Sequence, residues 1–103
     1  MDSTRNLKVG QVVSSKNGRD AFKVFVILEV IDEKYVLIAN GSNRTLANPK
    51  KKKVNHLNIY KKVFDQIESK ECGKYQFNDA YIRRILQPYE KIEFEKQEVS
   101  INE

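Results

Sequence analysis

The sequence predicts a mainly β domain, a small, strongly bent antiparallel barrel of five strands followed by a short C-terminal helix and an acidic tail. Three observations carry that expectation. Short runs of β-branched and aromatic residues recur between residues 9 and 59, each closed by turn chemistry such as "KNG", "DE" or "NG". The pattern then shifts to helical spacing in "FNDAYIRRILQPY". With 103 residues the chain has room for one core, and strands this short bury a usable core only by curling on themselves. A five-stranded curl of this size is of the SH3-like kind.

The elements follow in order. Val9–Ser15, "VGQVVSS", reads as the first strand, and Lys16–Arg19 as a turn in which Asn-Gly supplies positive φ. Phe22–Ile31, "FKVFVILEVI", is the strongest strand signal. Phe22, Val24, Val26, Leu28 and Val30 share one face, with Phe25, Ile27 and Ile31 on the other. A strand apolar on both faces is central, or curved so that each end buries a different side. Asp32-Glu33 turns the chain into a third strand, Lys34–Ala39. Asn40-Gly41 predicts a two-residue hairpin turn into a returning strand, Ser42–Leu46, which Asn48-Pro49 ends. Lys53–Ile59 supplies a last strand, or a strand and a short turn.

After Lys62 the character changes. Asn78 suits a helix N-cap and Asp79 the first helical position, where its charge favours the helix dipole. Phe77 and Ile82 have the spacing of a hydrophobic staple. Ile82, Ile85 and Leu86 form an apolar stripe that docks on the barrel, and Pro88 stops the helix. The expected organisation is therefore a barrel over residues 1–62, a helical extension over 63–90 packed on it, and a partly disordered acidic tail over 91–103.

Composition narrows the function classes. Hydrophobic residues make up 40% and charged residues 32% of the chain, and no apolar run reaches the ~20 residues of a membrane helix. The N-terminus lacks the layout of a secretory signal, and Cys72, the one cysteine, has no partner for an internal disulfide; the expected setting is the reducing cytoplasm. The net charge of +5 conceals an asymmetry. Residues 1–63 hold 13 Lys/Arg against 5 Asp/Glu, and residues 64–103 hold 6 against 9. A basic half on a small domain points to a polyanionic partner.

Catalysis has little to draw on. His56 and Cys72 could pair as imidazole and thiol, but no third orienting group accompanies them. They cannot make a structural zinc site without carboxylates, and there is no phosphate-cradling glycine loop. The expectation is a protein that is not an enzyme and holds no metal or cofactor.

The basic residues are more informative. Lys50–Lys53 carry four charges within ~13 Å of extended chain, a spacing suited to displacing several counterions from a nucleic-acid strand. Arg44 and the first-turn residues Lys16 and Arg19 can join them if separate loops converge at one end of a curled barrel. Arg44 has the planar fork for bidentate phosphate contacts, whereas the lysines act as point charges. Asn43, Asn48 and Asn55 can bond sugar or base edges, or simply serve turn chemistry. Arg83 and Arg84 extend the basic face or pair with Asp79 and Glu90.

These pieces, taken together, resemble a KOW-type RNA-binding domain. The matching segments are "GQVV" at Gly10–Val13, "GRDAFK" at Gly18–Lys23, "VLIANG" at Val36–Gly41 and "KKVNHL" at Lys52–Leu57. The resemblance covers about half of the chain and is strongest to bacterial relatives of the eukaryote-type large-subunit ribosomal protein fourteen. "NDAYIRRIL" also resembles the helix that follows the barrel in those proteins. The resemblance implies an SH3-like barrel that binds RNA, usually ribosomal RNA, through loops and strand ends, without catalysis. It assigns the turn at Gly18, Arg19 and Asp20 and the basic segment ending in His56 to the RNA. One departure stands out: Phe22 occupies a position where the family often has a second glycine, so the strand packs differently there or exposes an aromatic for base stacking.

The expected RNA-binding residues are Lys16, Arg19, Lys23, Arg44, Lys50, Lys51, Lys52, Lys53, Asn55 and His56. The expected partner is ribosomal or other structured RNA, on or off the ribosome, bound by a monomer with no membrane involvement. The alternative is a protein-interaction module in which the basic loop engages an acidic protein segment, with Tyr35, Tyr60 and Tyr75 as exposed aromatics.

Overall fold

The computed structural model describes residues 3–16 and 23–101, with side chains as far as residue 93. Five antiparallel strands form one sheet: β1 (Gln11–Ser15), β2 (Val24–Val30), β3 (Tyr35–Ala39), β4 (Lys50–Lys53) and β5 (Leu57–Val63). Their order is β4-β3-β2-β1-β5. Among the described residues a single α-helix, α1 (Asp79–Ile101), lies against the sheet. No helix among the described residues is long and apolar enough to cross a membrane.

The sheet does not close into the barrel that the sequence led us to expect; β4 and β5 are its two edges. It is nevertheless curled. Only the 3-10 turn Val54–His56 joins one edge strand to the other. Four residue steps, from Lys53 to Leu57, span at most ~14 Å, whereas the edges of a flat five-stranded sheet lie ~19 Å apart. The fold meets that constraint by bending the sheet around a core.

That bend gives β2 two buried faces. Phe25 and Ile27 join Val13, Val36, Ile38, Val54, Leu57 and Leu7 in a cluster within the curl. Val24, Val26 and Leu28 join Val12, Ala39, Ile67, Ile82 and Leu86 in a second cluster beneath α1. The simple alternation of the sequence breaks once. Ile27 pairs with Ile38 but Glu29 pairs with Leu37, so one extra residue bulges from β2. The bulge reverses the parity of the residues after it. Val30 packs against the cluster inside the curl instead of sharing the face of Val24, and Ile31 is exposed.

Gly10, just before β1, has φ +90°, and a Cβ there would lie 2.2 Å from the Phe64 carbonyl oxygen. The close approach serves hydrogen bonding: Gly10 N–H donates to Ile27 O and Phe64 N–H donates to Gly10 O, each at 2.8 Å. This departure from extended geometry is why β1 begins at Gln11 rather than Val9. Buried Gln11 is satisfied at both ends of its amide, accepting from Lys8 N–H and donating to Tyr60 O.

Two further expectations are corrected. Ser42–Leu46 is not a strand. Asn40 is buried, its Oδ1 accepts from Ser42 and Arg44 N–H, and its Nδ2 donates to Asn43, so the segment is wound into a compact turn. The strand that returns along β3 is the lysine run itself. Second, Pro88 does not stop α1, which continues to Ile101 where an acidic tail was expected. Pro88 and Arg84 are both exposed, so water reaches the carbonyl whose helical donor is lost. The next turn is held from outside the helix: the Tyr89 ring meets Tyr60 and Phe64 edge-on at 5.7 and 6.1 Å, and Glu93 is buried.

The start of α1 follows the sequence signals. Asn78 Oδ1 caps the helix by accepting from Tyr81 N–H at 2.9 Å. Asp79 does more than complement the dipole: its Oδ1 accepts from Leu46 N–H, tying the β3–β4 loop to the helix. Gly41, with φ +80°, sits so close that a Cβ would lie 2.4 Å from Asp79 O, and Arg83 donates to Gly41 O.

Candidate nucleic-acid interface

Lys50–Lys53 form an ordered edge strand, not a loop, and this changes how their charges are presented. In an antiparallel pair, directly opposed residues share a face. Lys50 and Lys52 oppose Ile38 and Val36, so they lie on the inner face beside the core. Both are half-buried, as a lysine is when its stem covers apolar surface and its ammonium group stays in water. Lys51 and Lys53 oppose Leu37 and Tyr35 on the outer face. The Lys51 Nζ lies 4.7 Å from the centre of the Tyr35 ring, a cation–π contact. The four charges are therefore split two and two across an open sheet edge.

At the end of β4 the chain enters the 3-10 turn that carries Asn55 and His56, both exposed. Lys16 N–H donates to His56 O at 3.0 Å, and Ser15 N–H donates to Lys23 O at 3.2 Å. Lys16, Lys23, Asn55 and His56 thus meet at the end of β1, and Lys53 leads directly into the turn. Exposed Asn58 follows, its amide donating to Ser14 Oγ. Three segments distant in sequence converge here, and among the described residues of this group none is acidic.

Arg44 belongs to a different environment. It is half-buried, and its carbonyl accepts from Asn40 and Gly41 N–H within the turn that docks on the start of α1. Asn43 and Asn48 serve turn geometry: the first accepts from Asn40, and the second bonds Thr45 through its N–H. Arg19, Gly18 and Asp20, which the resemblance assigns to RNA, and Phe22 lie outside the described residues.

Lys51, one of the outer lysines, has an acidic neighbour. Asp32 Oδ1 accepts from Lys34 N–H at 2.8 Å and Tyr35 N–H at 2.9 Å at the β2–β3 turn. The Lys34 hydrogen bond is the main influence holding its pKa below the ordinary carboxylate value; desolvation, next in size, opposes it, and the Tyr35 bond and the charges of Lys51 and Lys34 add to the lowering. The lysine strand therefore leads through the 3-10 turn to Lys16, with Asp32 as an acidic neighbour at Lys51.

Sequence reasoning missed the roles of two basic residues. Arg83 is a structural donor to the β3–β4 turn, and the Arg84 guanidinium lies 5.5 Å from the centre of the Tyr81 ring. Lys61 and Lys62 on β5, also unassigned, make the second open edge basic as well. The alternation of β5 and the topology are needed to see that these lysines and the β4 run flank the same sheet. Cys72 is exposed at φ +50° in a tight turn closed by paired Glu71 and Lys74 backbone bonds, and His56 sits on the 3-10 turn. Among the described residues no group of three or more His, Cys, Asp or Glu is placed to hold a metal ion.

No family model matches the chain. Over 61 residues it is 31% identical to a protein of Bacillus subtilis (strain 168) named "Putative ribosome-binding protein YbzG". The aligned stretch is 59% of this chain and 82% of that protein. A match of this identity over most of the relative's length shows common descent, and the chain belongs to the family of that Bacillus protein.

Proposed function

We propose that this protein associates with the ribosome by binding ribosomal RNA, as a non-catalytic cytoplasmic monomer acting in translation, and that its curled sheet is an SH3-like unit of the KOW type. The name of the Bacillus relative supports the ribosome as partner. The sheet order, with a 3-10 turn linking the two edge strands, is compatible with an SH3-like unit. The observation that carries the RNA reading is the pair of backbone bonds that bring Lys16 and Lys23 to the turn of Asn55 and His56, at the foot of the lysine strand. Phosphates laid along this edge would meet the inner lysines first, then Lys53 and Lys16, and release counterions as they bind. Asn55 and His56 offer hydrogen bonds to sugar or base edges at the same place.

A second reading has one observation in its favour. Lysines stand on both open edges of the sheet, where charged side chains prevent strand addition by another chain. On that reading the tract blunts an edge, or engages an acidic protein segment, and needs no RNA. Cosedimentation with purified ribosomal subunits across a salt series separates the two. RNA binding predicts a steep loss of binding with salt. Replacing Lys50–Lys53 together by alanine should then lower the slope of log K against log salt by about 3–4. A salt-independent interaction, or a variant that self-associates while binding subunits normally, would assign the lysines to edge protection. Binding that survives nuclease treatment would indicate a protein partner.

A further inference from the structure

A concave feature of the molecule is formed by residues other than those of the β4 lysine strand and its 3-10 turn. A cleft of about 590 Å³ opens at the start of α1, lined by Gln66, Gln76, Phe77, Asn78, Tyr81 and Arg84. Its size is within the ~300–1,000 Å³ typical of small-ligand sites. Phe77 and Tyr81 form its aromatic wall, their rings tilted and 6.3 Å apart, and Tyr75, 5.3 Å from Phe77, stands behind that wall outside the lining. Tilted rings do not cover one another's faces, and Phe77 and Tyr81 are only half-buried, so ring surface remains open to the cleft. One cation flanks the wall, the Arg84 guanidinium over Tyr81 at 5.5 Å.

The polar groups around this wall favour one chemistry. Three side-chain amides, of Gln66, Gln76 and Asn78, stand beside the rings and one guanidinium; among the described residues no carboxylate lines the cleft, Glu29 lying on the far side of the wall beside Tyr75. The neighbouring Asp79 is engaged by Leu46 N–H. Asn78 Oδ1 is used in capping, which leaves its Nδ2 as the group it can offer a ligand. Aromatic faces bind the flat face of a base, amides read its hydrogen-bonding edge, and a guanidinium stacks or meets the phosphate. We infer that the cleft at the start of α1 takes a single unstacked nucleotide of a bound RNA. The inference rests on the RNA-binding reading above and adds to it a second contact, specific for unpaired bases.

The test is a nuclear magnetic resonance titration of the full chain with single-stranded oligo(A) and oligo(U) hexamers and with a blunt RNA duplex, alongside subunit binding. The hexamers should shift the backbone amides of residues 76–84, and the duplex should not. Tyr81→Leu, which keeps the apolar stem packed on the core, should weaken hexamer binding about tenfold without changing the salt slope. Gln76→Ala, at an exposed position with no part in the core, should alter the ratio of oligo(A) to oligo(U) affinity. Shifts confined to β4 and the 3-10 turn would overturn the cleft assignment and leave the RNA-binding reading intact. Failure of hexamers, duplex and subunits alike to bind would overturn both. Shifts of residues 76–84 with an acidic peptide but not with RNA would assign the cleft to a protein partner and end the inference.

Discussion

The two faces of β2 bury the same kinds of residue by different means. Phe25 and Ile27 are enclosed by the sheet's own curl, with Val54 and Leu57 brought round from the 3-10 turn and β5. Val24, Val26 and Leu28 are covered by a separate element, α1, and by the aromatic residues of the connecting segment. The first face is closed by backbone hydrogen bonds as well as apolar contact. The second is closed by side-chain contact and a few hydrogen bonds between the β3–β4 loop and the start of α1. An interior walled by a hydrogen-bonded ladder cannot shrink around a missing side chain, whereas a helix can slide.

That difference orders the expected effects of mutation. Phe25→Ala should be the most damaging, about 3–5 kcal/mol by chemical denaturation, because the cavity stays open inside the curl. Leu86→Ala, also at a fully buried position, should cost about 2–3 kcal/mol, with α1 moving to close the gap. An equal or larger loss for Leu86 would show that α1 is as rigidly held as the strands. Gly41→Ala should follow at about 2 kcal/mol, from the left-handed backbone and the clash with Asp79 O. It strains the join between loop and helix without touching the curl. Hydrogen exchange should therefore quicken in α1 more than in β1 and β2, and uniform quickening would make the two faces one cooperative unit.

The smallest effect is at Asp32, in the turn that closes β2 onto β3. Its pKa is lowered in the folded state, first by the Lys34 N–H bond. Its contribution to stability is thus present above the ordinary carboxylate pKa and lost as pH falls through the lowered value. Asp32→Asn should melt slightly below the parent at neutral pH and match it in strong acid. A difference that persists in acid would point to turn geometry rather than charge.

Much of the strand pattern was legible because β-branched runs and turn residues are local signals. The both-sided apolar character of Phe22–Ile31 announced a curled or central strand, and Asn78 announced the helix start. The lysine run was misread as a loop because four charges carry no strand signal; β4 exists because Tyr35, Val36, Leu37 and Ile38 offer it a ladder. Ser42–Leu46 was misread for the converse reason, since the buried Asn40 side chain satisfies a backbone that would otherwise pair. For the site, the sequence supplied the cations but not their faces. The aromatic cleft was hidden because Gln66 and Gln76 lie outside any periodic element.

Composition and local pattern by themselves determined a basic, mainly β domain with a capped helix after it, since strand propensity, turn chemistry and net charge are properties of neighbouring residues. Tertiary structure alone decided that the sheet stays open-edged, that α1 runs through Pro88, that Lys16 meets His56, and that aromatics and amides line a cleft. Each of these depends on contacts between residues far apart in the chain, which hydrogen-bonded ladders and apolar packing establish only when the whole core closes.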